Sequence, residues 1–394
     1  MADLHTCPFC NTLLPAAVGG IRGTCPRCGE TRVSSIHDGE LKSTASSSMS
    51  QATAETRPPG LLRWPVYAAG LAVLAIGLVL AWPYLSNLGR SRTSEGPDDE
   101  THVVIAPADM PGLGYLPGSA EAILTIQMPS LLDKLGPEYR NDPAKALFDL
   151  GVPQNAIETI DRASGVGLRN VDQLVVGMGF EKGSFPPQIV IVVHTRQPYD
   201  MSALARDSDA RALKSQGRTI YAVKASPVPT VYWWGPNDRV LVATLLPRDF
   251  ADVPVLPRAG VDHLKPEMVR LIRDQIATDA SAWLVASSDR WADHLRPYVL
   301  LPFTPLQGRR DLLAPSERLR SMSLSIPQSP DRAVDVQIEL KSPAAADEIR
   351  TTLADRFRDE PVDVGGDGEI CRIQTPFDPE RVGSLVARLV GPAR

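Results

Sequence analysis

The chain is poor in the residue types that carry most enzyme chemistry. It has five cysteines and six histidines in 394 residues, and a single cysteine, Cys371, follows Cys28. That single thiol rules out a disulfide within the long C-terminal part. The sequence also lacks a Gly-x-Ser-x-Gly nucleophile motif and a His-x-x-x-His metal pair. These absences argue against a motif-bearing hydrolase and against metal catalysis in this part.

The chain also lacks an excess of positive charge. Lysine and arginine number 41 against 46 acidic residues, which gives a net charge of −5. Proteins that bind nucleic acid need a basic surface to replace the counterions of the phosphates. The composition is that of an ordinary soluble domain with appendages, and no nucleic-acid partner is expected.

Four of the five cysteines form two closely spaced pairs near the N-terminus, Cys7-Pro8-Phe9-Cys10 and Cys25-Pro26-Arg27-Cys28. A two-residue gap lets one tight turn place both sulfurs on a single zinc ion, and two such pairs complete a tetrahedral site. Two disulfides or free thiols are the alternatives. Residues 5–33 resemble the zinc-ribbon family, and this resemblance implies that Cys7, Cys10, Cys25 and Cys28 are the ligands.

The predicted zinc site is structural rather than catalytic. Four protein thiolates leave no open coordination position for water. Some thirty residues bury too small a core to fold alone, so we expect the Zn²⁺ ion to stabilise the fold. The ribbon carries no basic stripe, which favours a protein contact or a sensing role over nucleic-acid binding.

A long uncharged run predicts one membrane-spanning helix over residues 64–88. Val66 to Leu85 contains no charged residue, and at ~1.5 Å per residue it covers the ~30 Å of a bilayer core. Tryptophan and tyrosine mark both ends, as at lipid headgroups. A buried core helix is the alternative, but polar segments flank the run on both sides. Small residues four apart within it permit weak self-association.

Nearby arginines do not decide the orientation, because two precede the run and two follow it. The cysteines do, because a site of four thiolates persists where thiols stay reduced. We therefore predict a bacterial cytoplasmic membrane protein with a cytoplasmic N-terminus and an extracytoplasmic C-terminal domain. The predicted organisation is a zinc ribbon at 1–33, a flexible serine-rich linker at 34–63, the membrane helix at 64–88, an acidic linker at 89–109, and two α+β lobes at 110–258 and 259–394.

The fold class predicted for the large domain is mixed α+β. Apolar or alternating runs predict three hairpins, and alternation in 321–326 and 334–340 predicts one buried and one wet face for each strand. Ser342 followed by Pro343 predicts the start of a helix, and Asp378 predicts another. The order strand, helix, strand, strand, helix occurs twice, which predicts two duplicated lobes.

A search of this domain for chemistry finds weak candidates. Gly177, Gly179 and Gly183 are interpreted as turn glycines, because no helix follows to hold a phosphate. Asp289, Asp293 and His294 are interpreted as solvated residues of one helix, and Asp335 and Glu339 as the wet face of a strand. Cys371 is interpreted as a small half-buried residue. Trp233 and Trp234 point to opposite faces of a strand, so that one of them packs in the core. The other, together with Tyr221 or Tyr232, could line a ligand groove.

The sequence favours a single-pass membrane protein whose cytoplasmic zinc ribbon is tethered to an exported, non-catalytic binding or scaffold domain. Its expected partners are the lipid bilayer and another protein. Two alternatives stay open. One is an exported enzyme whose site is assembled from scattered residues. The other is a transmembrane sensor that signals through the ribbon.

Overall fold

The computed structural model describes two parts of the chain. In the first, β1 (Leu4–Thr6) and β2 (Leu13–Pro15) form an antiparallel pair. The second is the large domain. The four predicted zinc ligands, the predicted membrane helix and the segment from Asp378 onwards lie outside the described residues. The described ranges are 4–6, 13–15, 104–140, 142–145, 167–180, 187–208, 210–215, 217–225, 228–300, 313–329 and 331–377.

The large domain combines one antiparallel sheet with short helices. Its strands are β3 (Ala122–Gln127), β4 (Val171–Gly179), β5 (Gln188–Thr195), β6 (Arg211–Ser215), β7 (Arg218–Ala225), β8 (Val228–Trp234), β9 (Val240–Thr244), β10 (Ala280–Ser287), β11 (Leu319–Pro327), β12 (Val334–Leu340), β13 (Asp363–Gly365) and β14 (Ile370–Thr375). Its α-helices are α1 (Met128–Leu135), α2 (Pro137–Arg140), α3 (Met201–Asp207), α4 (Pro266–Gln275), α5 (Trp291–Leu300), α6 (Leu313–Ser316) and α7 (Pro343–Arg356). Short 3-10 helices cover Pro107–Asp109, Pro111–Tyr115, Leu168–Asn170 and Pro247–Ala251.

Twelve strands form one sheet in the order β13-β14-β12-β11-β10-β3-β4-β5-β9-β8-β7-β6. Every neighbouring pair is antiparallel. The prediction of a mixed α+β domain is confirmed, as are the three predicted hairpins β4–β5, β8–β9 and β11–β12.

The sheet repeats one connection scheme on each side of the β3–β10 pair. Leu124 of β3 stands directly opposite Leu284 of β10. From each of these strands the chain runs through a helix to the next strand outwards, returns in a hairpin, and continues into another helix. The final strand of each half, β9 or β14, then pairs with that hairpin. The two halves differ because β9 is preceded by three strands and β14 by one. They share one continuous sheet.

Each face of the sheet carries its own apolar core. On the first face, helices α1, α3, α5 and α7 pack on residues such as Val176, Trp233 and Ile338. On the second face, α4 packs together with two irregular segments, residues 104–116 and 246–264. Because both faces of the central strands are covered, these strands are apolar on both sides rather than alternating.

One predicted wet face is buried. Ser321, Ser323 and Ser325 of β11 are at most 2% exposed. Helix α4 and its C-terminal turn lie over them, and Ala277 donates its backbone N–H to Ser325 Oγ at 3.2 Å. The predicted alternation of β11 is correct, but the prediction that its serine face is exposed to water is wrong. Serine is small enough to lie beneath a helix when its hydroxyl is hydrogen-bonded.

Two glycines of the predicted turn lie instead inside β4. A Cβ atom at Gly177 would sit 2.7 Å from Leu116 Cδ2, so this glycine allows residues 104–116 to pack closely on the strand. Gly366 and Gly368 lie in the turn between β13 and β14, where their φ values are 106° and 57°.

The predicted start of helix α7 is also confirmed. Ser342 Oγ accepts the backbone N–H of Ala345, and Pro343 is the first helical residue. Strands β6 and β7 and helix α4 were not predicted. The fold also takes in Pro107–Asp109, a 3-10 helix at the end of the predicted acidic linker.

Candidate functional site at the ends of the central strand pair

Among the described residues, polar side chains from distant parts of the chain meet at the two ends of the β3–β10 pair. The pairing is antiparallel about Leu124 and Leu284, so the two ends have equivalent backbone positions. We call one the charged end, formed by Glu121, Lys265, Ser288 and His294. We call the other the neutral end, formed by Ile105, Gln127, Ala280 and Ser281.

At the charged end, Glu121 joins elements from both faces of the sheet. Its Oε1 accepts Lys265 Nζ at 2.6 Å, just before α4, and its Oε2 lies 3.1 Å from His294 Nε2 on α5. The side chain of Glu121 is 11% exposed and that of His294 is 7% exposed. Since Ser287 N also donates to the Glu121 carbonyl, the carboxylate is fixed at the start of β3.

His294 also contacts a hydroxyl and two aromatic rings. Ser288 Oγ lies 2.8 Å from His294 Nε2 and accepts the backbone N–H of Arg290. The imidazole stacks on Phe180 with ring centroids 4.5 Å apart and meets Trp291 edge-on at 6.2 Å. The prediction that His294 is a solvated helix residue is therefore wrong, because α5 turns this residue towards the sheet.

Serine, histidine and glutamate together invite comparison with a hydrolytic triad, but the geometry differs. A triad needs its serine on one ring nitrogen and its carboxylate on the other, so that the carboxylate orients the base. Here both Ser288 and Glu121 approach Nε2. That nitrogen can satisfy only one of them with a directed hydrogen bond, so we treat the 3.1 Å contact with Glu121 as electrostatic. The hydroxyl is also buried, which closes it to substrate.

The charged end stabilises the ionised form of its carboxylate. Burial raises the pKa of Glu121, but the contacts with His294 and Lys265 together lower it by more, and the net pKa lies below the usual value. A buried carboxylate with a lowered pKa is a poor general acid at neutral pH. Glu121 thus connects the segments that cover the two faces of the sheet, through Lys265 on one face and His294 on the other.

At the neutral end, Gln127 performs the equivalent task without charge. Its Oε1 accepts Ile105 N at 2.9 Å, and its Nε2 donates to Ile105 O at 2.8 Å and to Ala280 O at 3.0 Å. Beside it, Ser281 Oγ donates to Ile326 O at 2.9 Å. The two bonds between Gln127 and Ile105 hold the start of the domain, residues 104–110, against the sheet.

A further ion-pair network lies near α4. Arg270 contacts both Glu267 and Glu339 at 2.6 Å, and Arg320 contacts Glu339 and Glu369 at 3.1 and 2.8 Å. The Glu339 side chain is 13% exposed, so its assignment to a wet face was wrong. Asp335 is equally shielded and accepts two hydrogen bonds from Arg372. Each of these four carboxylates contacts at least one arginine.

The remaining predicted candidates are part of the core. Trp233 and Trp234 do point to opposite faces, but they are 1% and 7% exposed. Trp234 packs edge-on against Tyr115 and Phe250 beneath the Arg218 guanidinium, so it lines no groove. Cys371 is fully buried rather than half-buried, and burial raises the pKa of its thiol to about 11, which makes it unreactive.

The described residues contain neither a metal-binding cluster nor a helix suited to cross a membrane. No cluster of three or more histidine, cysteine or acidic side chains in these ranges is arranged to bind a metal ion. Among the described helices, none combines the length and apolar character needed to cross a membrane. The predicted zinc ligands Cys7, Cys10, Cys25 and Cys28 and the predicted span at 64–88 lie outside the described residues.

Comparison with known proteins gives only distant structural likenesses. No protein-family model matches the chain, and no curated protein matches it. A solved structure of TP0453, in its crystal form I, is 12% identical and superposes with a TM-score of 0.40 over 70% of this chain and 96% of that one. A likeness this weak does not transfer a function.

Proposed function

We propose that the chain is a single-pass membrane protein whose large extracytoplasmic domain binds or scaffolds another protein without catalysis. The observation that supports the absence of catalysis is the arrangement of side chains at the charged end. It holds the described domain's most triad-like set of groups, yet Ser288, His294 and Glu121 are buried and directed at one another. An enzyme needs such groups open to substrate and placed at separate ring nitrogens.

The proposals of a membrane anchor and of a zinc ribbon are based on the sequence. The uncharged run at 64–88 supplies the single span, and Cys7, Cys10, Cys25 and Cys28 supply a structural Zn²⁺ site on the cytoplasmic side. The paired strands β1 and β2 flank the first cysteine pair in the sequence, as a hairpin carrying two zinc ligands requires. The repeated connection scheme of the sheet supports two duplicated α+β units.

Reporter fusions at the two termini test the topology. A C-terminal reporter that is active only outside the cytoplasm gives signal, and the same reporter at the N-terminus gives none. The opposite pattern would overturn the orientation and the roles proposed on each side. Deletion of 64–88 provides the control, since it leaves both reporters in the cytoplasm.

Metal analysis of the purified chain tests the ribbon separately. About one zinc per chain is expected for a site of four thiolates. Cys25→Ser lowers this content, whereas Cys371→Ser leaves it unchanged, because that thiol is buried in the sheet. A zinc content that all four N-terminal Cys→Ser variants leave unaltered would exclude the site.

In-cell photo-crosslinking tests the binding role against the enzyme alternative. Probes at exposed positions on the large domain should capture a protein in the envelope, and Glu121→Gln, which keeps the size of the side chain, should not abolish capture. The enzyme alternative predicts instead that substitution of a catalytic side chain abolishes the cellular function although the domain still folds.

A further inference from the structure

Within the described residues, the exposed large hydrophobic side chains are two neighbours, Val255 and Leu256. They are 56% and 77% exposed. Both lie at the tip of the loop between the last 3-10 helix and α4, in the sequence Val253-Pro254-Val255-Leu256-Pro257. We call residues 253–258 the tip loop. Two large apolar side chains side by side in water form a small apolar surface that gains free energy when it is covered.

The tip loop is held rigidly at both ends. At one end Val253 is buried, and its carbonyl accepts Arg218 Nη2 at 2.6 Å. At the other end Arg258 N donates to Gly114 O at 3.1 Å, and Pro257 packs closely on Gly114. Prolines on both sides of the exposed pair further restrict the backbone. The exposure of Val255 and Leu256 is thus a fixed feature of the surface.

The position of the loop indicates what covers it. The loop packs on residues 108–118, where the chain begins the domain. Upstream of the domain, the predicted membrane helix ends at residue 88, and positions 89–103 connect it to Val104. A chain of about 15 residues reaches at most roughly 50 Å when fully extended. The predicted bilayer is therefore within reach of the tip loop.

We propose that Val255 and Leu256 insert into the acyl region of the bilayer beside the protein's own membrane anchor, an inference that rests on the proposed single-pass topology. Two apolar side chains bind a free domain to lipid only weakly. A tethered domain meets the membrane at a high effective concentration, so the same contact is populated. Insertion would fix which face of the large domain points away from the membrane.

The charges around the tip loop do not favour an anionic surface. Arg248 and Arg258 are exposed, but so are Asp252 and Asp109. Asp252 also accepts Gln188 Nε2 at 2.9 Å. Since the charges balance, the contact depends on the apolar pair, and it should be insensitive to salt and to lipid charge.

Quenching by lipid tests the proposal on the full chain. A fluorescent amino acid replaces Leu256, and in a matched chain it replaces Asp367, an exposed residue beside the opposite edge strand β13. Both chains are reconstituted in phosphatidylcholine vesicles with brominated acyl chains. Quenching several-fold stronger at position 256 than at position 367 supports insertion, and equal quenching overturns it.

A second pair of variants tests the apolar contribution. With the probe at position 256, Val255→Ser should reduce the quenching severalfold, whereas Ala259→Ser, an exposed change in the same connection, should leave it unchanged. If a water-soluble quencher is excluded from position 256 while brominated lipid does not quench it, a protein covers the loop, and the lipid assignment is wrong.

Alkaline extraction separates this inference from the proposed topology. A chain that stays with the vesicles at high pH has an inserted span, so absence of quenching at position 256 then counts against the tip loop alone. A chain that is extracted lacks the span, which overturns the proposed single-pass function together with the inference built on it.

Discussion

The charged and neutral ends lie at opposite ends of the β3–β10 pair and use different chemistry. At one end the carboxylate of Glu121 binds Lys265 and contacts His294. At the other, the amide of Gln127 binds the backbone of Ile105 and Ala280. Both fasten a covering segment to the central strands. The comparison shows that a buried polar contact between a covering segment and the central strands can be ionic or neutral.

The largest effect is expected from Glu121→Ala. This change removes the partner of Lys265 and leaves the buried His294 with Ser288 alone, and it should lower the free energy of unfolding by about 3 kcal/mol. Urea unfolding of the detergent-solubilised chain, followed by tryptophan fluorescence, measures the loss. Glu121→Gln is the matched control and should lose clearly less. Equal losses would show that charge contributes nothing at this end.

Next in size is Gln127→Ala, with a loss of about 2 kcal/mol, because three hydrogen bonds to backbone groups disappear. The effect should be local. Amide hydrogen exchange should accelerate at Ile105 and at its neighbours in 104–110, while β14 keeps its protection. Uniform acceleration across the sheet would contradict the view that this end fastens one segment.

The two ends should differ more sharply in their response to acid. The folded pKa of Glu121 lies below its usual value of 4.5, so its stabilisation is complete above that pH and is lost as the pH falls through the lowered pKa. The stability difference between the unsubstituted chain and Glu121→Gln should therefore shrink from pH 7 to pH 3. The corresponding difference for Gln127→Ala should stay constant, because no titrating group is removed.

The smallest effect is expected from Ser281→Ala, about 1 kcal/mol, because one buried hydrogen bond to Ile326 O is lost. Exposed Ser202→Ala, measured in the same urea titration, should stay within about 0.5 kcal/mol of the unsubstituted chain. A larger loss at Ser281 than at Gln127 would reverse the order of the two neutral-end contacts.

Sequence patterns located most strands but misjudged which surfaces are wet. Alternation correctly marked β11 and β12, yet Ser321, Ser323 and Ser325 are buried, because α4 lies above them. The burial of Glu339 was missed for the same reason. A pattern along one strand reports alternation, but it holds no information about a helix that arrives from elsewhere in the chain.

The charged end was beyond the reach of sequence reasoning. Glu121 lies more than a hundred positions before Lys265 and His294, and nothing in their local spacing links them. In the sequence, the neighbouring residues Asp289 and Asp293 indicate a solvated helix face and therefore a solvated His294. The local sequence offers one signal, Trp291, because a residue three positions before His294 on a helix lies on the same face, and its burial predicts that His294 is buried as well.

The sequence by itself determined the features that depend on neighbouring residues: the paired cysteines that predict zinc, the uncharged run that predicts a span, the hairpins and the Ser342 cap. Tertiary structure alone decided that twelve strands share one sheet, that Glu121 clasps two covering layers, and that Val255 and Leu256 remain exposed. The physical reason is range. Ligand spacing, hydropathy and turn chemistry act within a few residues, whereas burial and charge pairing depend on segments that meet only after folding.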